Sequence, residues 1–148
     1  MLETHGVLET VIYVHDLEAT ANFYERVLNL AVLSSSPRLV AFDAGNGSVL
    51  LAFKAGSRIE DIVDQDGLVP GHDGRGRLHF ALSISASDLD GWRGRLIKEG
   101  VTIASDYRRA RGPTSLYFHD PDGHVVELAT PGVWANGPAA PATRDVAG

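Results

Sequence analysis

One order of elements is written twice along these 148 residues, and a chain built that way has few folds open to it. VLETVIYV (7–14) is rich in β-branched residues and reads as a strand. In the following HDLEATANFYERVLNL, Leu17, Ala21, Tyr24 and Leu28 fall at helical spacing, with Phe23 and Val27 beside them and Asp16 placed to cap the start. Three short strands come next, LAVLSS, RLVAFDAG and SVLLAFKAG, separated by Ser-Pro and Gly-Asn-Gly turn signals. The order then returns. RLHFALSIS (77–85) is a strand, and SDLDGWRGRLIKEG is a helix with Leu89, Trp92 and Leu96 at helical spacing and a stop at Gly100. VTIASDY, GPTSLYFHD and HVVELAT are three more strands, with DPDG as a tight turn between the last two.

A strand–helix–three-strand half cannot bury its apolar face alone, so two halves pair and their join is a natural cleft. The expectation is an α+β fold: two paired βαβββ modules forming a curled mixed sheet around a central cleft. Residues 1–56 form the first module, 57–76 a connector, 77–131 the second module and 132–148 a mostly disordered tail, in one structural domain overall. Within the connector IEDIV reads as a short helical turn, and GHDGRG as a mobile loop leading into His79, a candidate lid. Its glycine spacing does not match the dinucleotide fingerprint.

The 13 basic and 19 acidic residues give a formal charge of −6, with no basic stripe interleaved with aromatics, which argues against nucleic acid as a partner. The absence of cysteine excludes disulfides, thiolate zinc sites and cysteine nucleophiles. No run approaches the roughly 18 to 20 apolar residues of a membrane span, and the N-terminus has no signal-peptide core, so the expectation is a cytoplasmic protein with no membrane partner.

Strand side chains alternate faces, so parity decides which residues share a surface. Glu9, Val11 and Tyr13 lie opposite Thr10, Ile12 and Val14. His79, Ala81 and Ser83 lie opposite Phe80, Leu82 and Ile84. Val125, Glu127 and Ala129 lie opposite Val126 and Leu128. Each strand has an apolar face fit to pack under a helix and a second face carrying one candidate metal ligand. A carboxylate taken out of water loses hydration worth several kcal/mol, so Glu127 needs compensation. Two readings are open: Glu9, His79 and Glu127 converge on a divalent cation, or three unrelated polar residues lie on a wet sheet face with Arg77 or Lys54 as partners. Tyr13, Phe53 and Tyr117 share the ligands' parity and are candidates either for a substrate pocket or for packing. His5, about 13 Å from Glu9 along an extended strand, belongs to the surface. His119 is expected in solvent, His15 and His124 are solvated loop residues, and Asp120 and Asp122 serve the hairpin turn.

ETVIYVHDLEATANFYERVLNL, LHFALSISASDLDGWRGRLIKEGV and SLYFHDPDGHVVELATPG resemble the vicinal-oxygen-chelate superfamily of glyoxalases, bleomycin-resistance proteins, thiol transferases acting on fosfomycin and extradiol dioxygenases, over about residues 7–134. The resemblance implies βαβββ modules curled around a metal whose ligand positions fall on Glu9, Leu51, His79 and Glu127. Three of these match. Leu51 stands where glyoxalase-type members use a carboxylate, which leaves that position open to water or substrate and makes Leu51 a substrate-lining candidate. Dioxygenase members use two His and one carboxylate, and Glu9 replaces one such His. Two carboxylates and one imidazole suit one divalent ion of Zn, Ni, Mn, Co or Mg better than redox iron.

The function so implied is a metal-dependent, glyoxalase-like lyase or isomerase acting on a small oxygen-chelating molecule through a stabilised enolate or alkoxide, with Glu127 as catalytic base. The alternatives are a non-catalytic binder of the bleomycin-resistance kind, a thiol transferase, or a dioxygenase. A homodimer is the implied assembly.

Overall fold

The computed structural model describes residues 1–136. The expected disordered tail lies, from residue 137 onward, outside the described residues. Contacts divide the chain into two units, Met1–Leu78 with Asp120–His124, and His79–His119 with the chain from Val125.

The first unit contains β1 (Glu9–Val14), α1 (Leu17–Leu28), β2 (Val32–Ser35), β3 (Leu39–Gly45), β4 (Ser48–Lys54), β5 (Ile62–Asp64) and β6 (Gly67–Val69). Its main sheet has the order β1-β4-β3-β2, with β1 parallel to β4 and the other pairs antiparallel. Asp16 caps α1 by accepting from the Ala19 amide, and Asn29 ends it in the left-handed conformation. Thr20, Phe23, Tyr24, Val27 and Leu28 form the buried face of α1, which packs on β3 and β4. Ile12, Val14, Phe42 and Leu50 complete that core.

The second unit contains β7 (His79–Ser83), a 3-10 turn (Ala86–Asp88), α2 (Leu89–Lys98), β8 (Ser105–Arg108), β9 (Thr114–His119) and β10 (Val125–Ala129). Its sheet has the order β7-β10-β9-β8, again with one parallel pair, β7 with β10. Phe80, Leu96, Leu116, Phe118, Val126 and Leu128 are buried. The fold is α+β, with the mixed sheet present as two four-stranded sheets, one to each unit.

Three local expectations are corrected, those for IEDIV, for the start of β8 and for His124. IEDIV forms no helical turn, because Ile62–Asp64 pairs antiparallel with Gly67–Val69 in a hairpin whose turn is tied by Asp64 accepting from the Asp66 and Gly67 amides. Val101–Ile103 precedes the sheet, and β8 begins only at Ser105. The GHDGRG segment is fastened down by His72, whose Nδ1 lies 2.6 Å from the Tyr13 hydroxyl and whose ring meets Phe53 edge-on. Gly74 lies so close to Tyr13 that a Cβ there would sit 2.4 Å from the ring. Finally, His124 is 2 % exposed and bonded at both ring nitrogens, so it is no solvated loop residue.

The turn at 120–124 is organised by a buried carboxylate. Asp120 accepts from the Tyr24 hydroxyl at 2.9 Å and from the amides of Asp122 at 3.0 Å and His124 at 2.9 Å. Asp122 in turn takes the His15 amide at 3.0 Å, and its oxygen lies 2.6 Å from His15 Nδ1. Burial, with Asp120 beside it, pushes the Tyr24 hydroxyl far above the ordinary tyrosine range, so it stays a neutral donor. Tyr24→Phe leaves the buried carboxylate one donor short and is expected to lower stability by about 1–3 kcal/mol in urea unfolding at neutral pH; an unchanged midpoint would contradict the assignment.

In the second unit Arg93 joins α2 to β8 through Asp106, at 2.8 Å from Nε, and Arg108 bonds the same carboxylate at 3.2 Å. Arg108 and Arg93 hold the Asp106 carboxyl below the usual carboxylate range. A carboxyl depressed in the folded state adds stability above its unfolded pKa and loses it as pH falls through the folded one. The network is partly solvated, so Asp106→Asn should cost under about 1 kcal/mol at neutral pH. The difference from wild type should shrink as pH falls below the ordinary carboxylate range, as read from paired urea titrations.

Candidate functional site

The second sheet carries His79 and Glu127 on the face away from its buried apolar side chains. Ladder register sets the rows: Val125 pairs with His79 and His119, Glu127 with Ala81 and Tyr117, and Ala129 with Ser83 and Ser115. Small residues at 81, 83 and 129 leave room above the sheet. A cavity of 320 Å³ opens there, lined by Ala81, Ser83, Glu127, Ala129, Thr130 and Trp134 among others.

Glu127 sits on β10, the strand flanked on both sides, and its side chain is only 8 % exposed. Facing it is His79, whose Nε2 lies 3.4 Å from Glu127 Oε2. The other ring nitrogen of His79, Nδ1, lies 2.9 Å from the Val125 carbonyl oxygen. A carbonyl can only accept, so Nδ1 carries the proton, and in the neutral ring Nε2 presents a lone pair to the carboxylate. Two acceptors facing each other, the carboxylate nearly buried and the imidazole half exposed, call for a cation between them, either a proton or a metal ion. An imidazole nitrogen and a carboxylate oxygen, the first oriented by a backbone carbonyl, are a donor set that fits a divalent ion.

Among the described residues, no three His, Asp or Glu side chains form a group able to hold a metal. The second unit therefore brings together His79 and Glu127 of the expected trio. Glu9 is exposed at the start of β1, the edge strand of the first sheet. The registers show how the two units correspond: Val11 pairs with Leu51 as Ala81 pairs with Glu127, so Leu51 holds in the first sheet the place that Glu127 holds in the second.

Of the remaining candidates, Tyr117 is half-buried beside the pair, its ring centroid 6.3 Å from that of His79. Tyr13 and Phe53 are ladder partners on the first sheet, both in contact with the His72 ring. Phe53 is buried and Leu51 half-buried.

Parity and periodicity along the strands did not single out Trp134, Thr130 or Arg109. Trp134 is 75 % exposed yet walls the cavity beside Glu127. Thr130, just past β10, accepts from the Thr114 amide at 2.9 Å and so anchors the segment leading to Trp134. Arg109 reaches back over the open face: its Nη1 donates to Ser115 Oγ at 3.1 Å and to the Pro113 carbonyl at 3.2 Å, and its guanidinium carbon lies 4.9 Å from the Tyr107 ring centroid. Ser115 is two residues from Tyr117, so this cation lies one row, about 7 Å, from the Glu127 row. Only the opposition of a strand Glu and a strand His was readable in advance.

The pattern of the Glyoxalase/Bleomycin resistance protein/Dioxygenase superfamily matches residues 6–128. This chain belongs to that superfamily. It is 35 % identical over 130 residues to the metallothiol transferase FosB of Bacillus licheniformis, covering 87 % of this chain and 77 % of the relative. A crystal structure of lactoylglutathione lyase from Agrobacterium tumefaciens superposes with a TM-score of 0.81 at 27 % identity, covering 89 % and 98 % of the two chains. The fosfomycin resistance protein FosX from Mesorhizobium loti superposes with a TM-score of 0.60 at 25 % identity, covering 90 % and 96 %.

The tautomer of His79 can be checked without metal or substrate. Long-range proton–nitrogen spectra above the histidine titration range are expected to show the proton on Nδ1. A ring protonated on Nε2 alone would mean that Glu127 is already satisfied by a hydrogen bond and that no cation is called for.

Proposed function

We propose that this chain is a divalent-metal-dependent thiol transferase that adds a small thiol to an oxygen-rich electrophile of the epoxide class. The observation that carries this reading is the lone pair of His79 Nε2 facing the Glu127 carboxylate at the foot of a cavity, in a chain 35 % identical to a metallothiol transferase.

In this reading His79 and Glu127 hold the ion, and a homodimer is the assembly. A divalent ion bound there supplies Lewis-acid polarisation of a substrate oxygen. The reaction needs no oxidant: a thiolate sulfur bonds to an epoxide carbon, the C–O bond breaks with its electron pair going to oxygen, and that oxygen takes up a proton. Arg109 offers a cation about one row away that suits an anionic substituent on the same small molecule. Trp134 walls the cavity beside Glu127, and Tyr117 stands beside His79.

A second reading, a lyase or isomerase with Glu127 taking and returning a proton, is supported by the likeness to the lactoylglutathione lyase structure. The two share the ion and differ in substrate. Purified protein is expected to contain about one divalent ion per chain, most of it lost in His79→Ala and in Glu127→Ala. With the ion restored, consumption of thiol in the presence of fosfomycin supports the transferase, whereas turnover of a hemithioacetal supports the lyase. Metal-free protein that binds small antibiotics regardless of chelators would overturn both in favour of a binder.

A further inference from the structure

We propose that His124 is a positioning residue for His79, acting through the Leu78 amide as a neutral imidazole with its proton on Nε2. The hydrogen bonds leave one tautomer. The Leu78 amide donates to His124 Nδ1 at 3.0 Å, so that nitrogen holds the lone pair. The Tyr13 carbonyl lies 2.7 Å from Nε2 and can only accept, so that nitrogen holds the proton. With the ring 2 % exposed, no water replaces either partner.

The bond to Leu78 has a counterpart one residue further along both segments. His79 Nδ1 donates to the Val125 carbonyl, so each imidazole bonds the backbone of the other's dipeptide: His124 receives the amide of Leu78–His79, and His79 gives to the carbonyl of His124–Val125. Both bonds fall where the ladder begins with its first pair, Val125 with His79. His79 is the first residue of β7, an edge strand paired on one side only. Without the Leu78 bond, nothing in the ladder precedes His79 to fix the peptide from which its side chain springs.

The imidazole of His124 is itself held. Asp120 accepts the His124 amide and the Tyr24 hydroxyl together, so the order of support runs from Tyr24 through Asp120 and His124 to Leu78, and thence to the ring facing Glu127. The aim of His79 at Glu127 is in this account a property of the DPDGH turn.

The importance of His79 rests on the proposed metal site, but the test uses the metal-free full chain, so it can fail independently of metal content. In wild type, long-range proton–nitrogen spectra should show His124 protonated on Nε2 and His79 on Nδ1; a His124 proton on Nδ1 overturns the proposal without any variant. His124→Leu should speed exchange of the Leu78 amide by about tenfold and replace the single tautomer of His79 by an averaged signal, while Leu116 and Phe118 keep their protection. His124→Asn, which retains an acceptor for the Leu78 amide, should restore the His79 signal. A His79 signature unchanged in His124→Leu, or not rescued in His124→Asn, would reduce His124 to a packing residue.

Discussion

A strand paired on both sides has no freedom of register, and β10 is that strand in the second unit. Parallel pairing to β7 and antiparallel pairing to β9 commit its backbone over Val125–Ala129, and side-chain alternation then sends Val126 and Leu128 into the core and Glu127 to the open face. A slip of one residue would bury Glu127 among Phe80, Leu116 and Phe118 and expose two aliphatic side chains, at a cost of several kcal/mol on each count. The carboxylate is thus fixed by the hydrophobic pattern of its neighbours before any partner is considered. His79, on an edge strand, has less of this support, which is why its ring is tied to the Val125 carbonyl and its preceding peptide to His124.

Duplication lets the polar residues of one sheet be compared place by place with those of the other. The two sheets share strand order and register, so equivalent places can be compared directly: Glu9 with His79 and Leu51 with Glu127. The first sheet retains an acidic residue at the strand start but has an aliphatic one opposite Val11. The second has the complementary imidazole and carboxylate. A pair of facing acceptors forms only where both positions carry one, and only the second unit has both.

Periodicity was enough to read both helices, the capping role of Asp16 and most of the strands, because those depend on local pattern and on which face is apolar. The parity of Glu127 and His79 was readable for the same reason, and their approach to 3.4 Å follows from adjacency of β7 and β10. The connector hairpin was not, because Ile62, Val63, Leu68 and Val69 show no core-facing alternation and Val63, Leu68 and Val69 stay exposed. Burial of His124 was hidden too: a histidine after Asp-Gly has the local look of a turn residue, and its partners, Tyr13 and Leu78, are 111 and 46 residues away. Arg109 was obscured by its neighbours Arg108 and Arg111, since nothing local tells which guanidinium folds back over Ser115.

The two histidines show how one side chain is given opposite properties by backbone alone. At His79 a carbonyl claims Nδ1 and leaves Nε2 as a lone pair pointed at a carboxylate; at His124 an amide claims Nδ1 and forces the proton to Nε2. The same imidazole therefore turns a lone pair outward through Nε2 at one position and a proton through Nε2 at the other, and the difference comes from whether a carbonyl or an amide meets Nδ1.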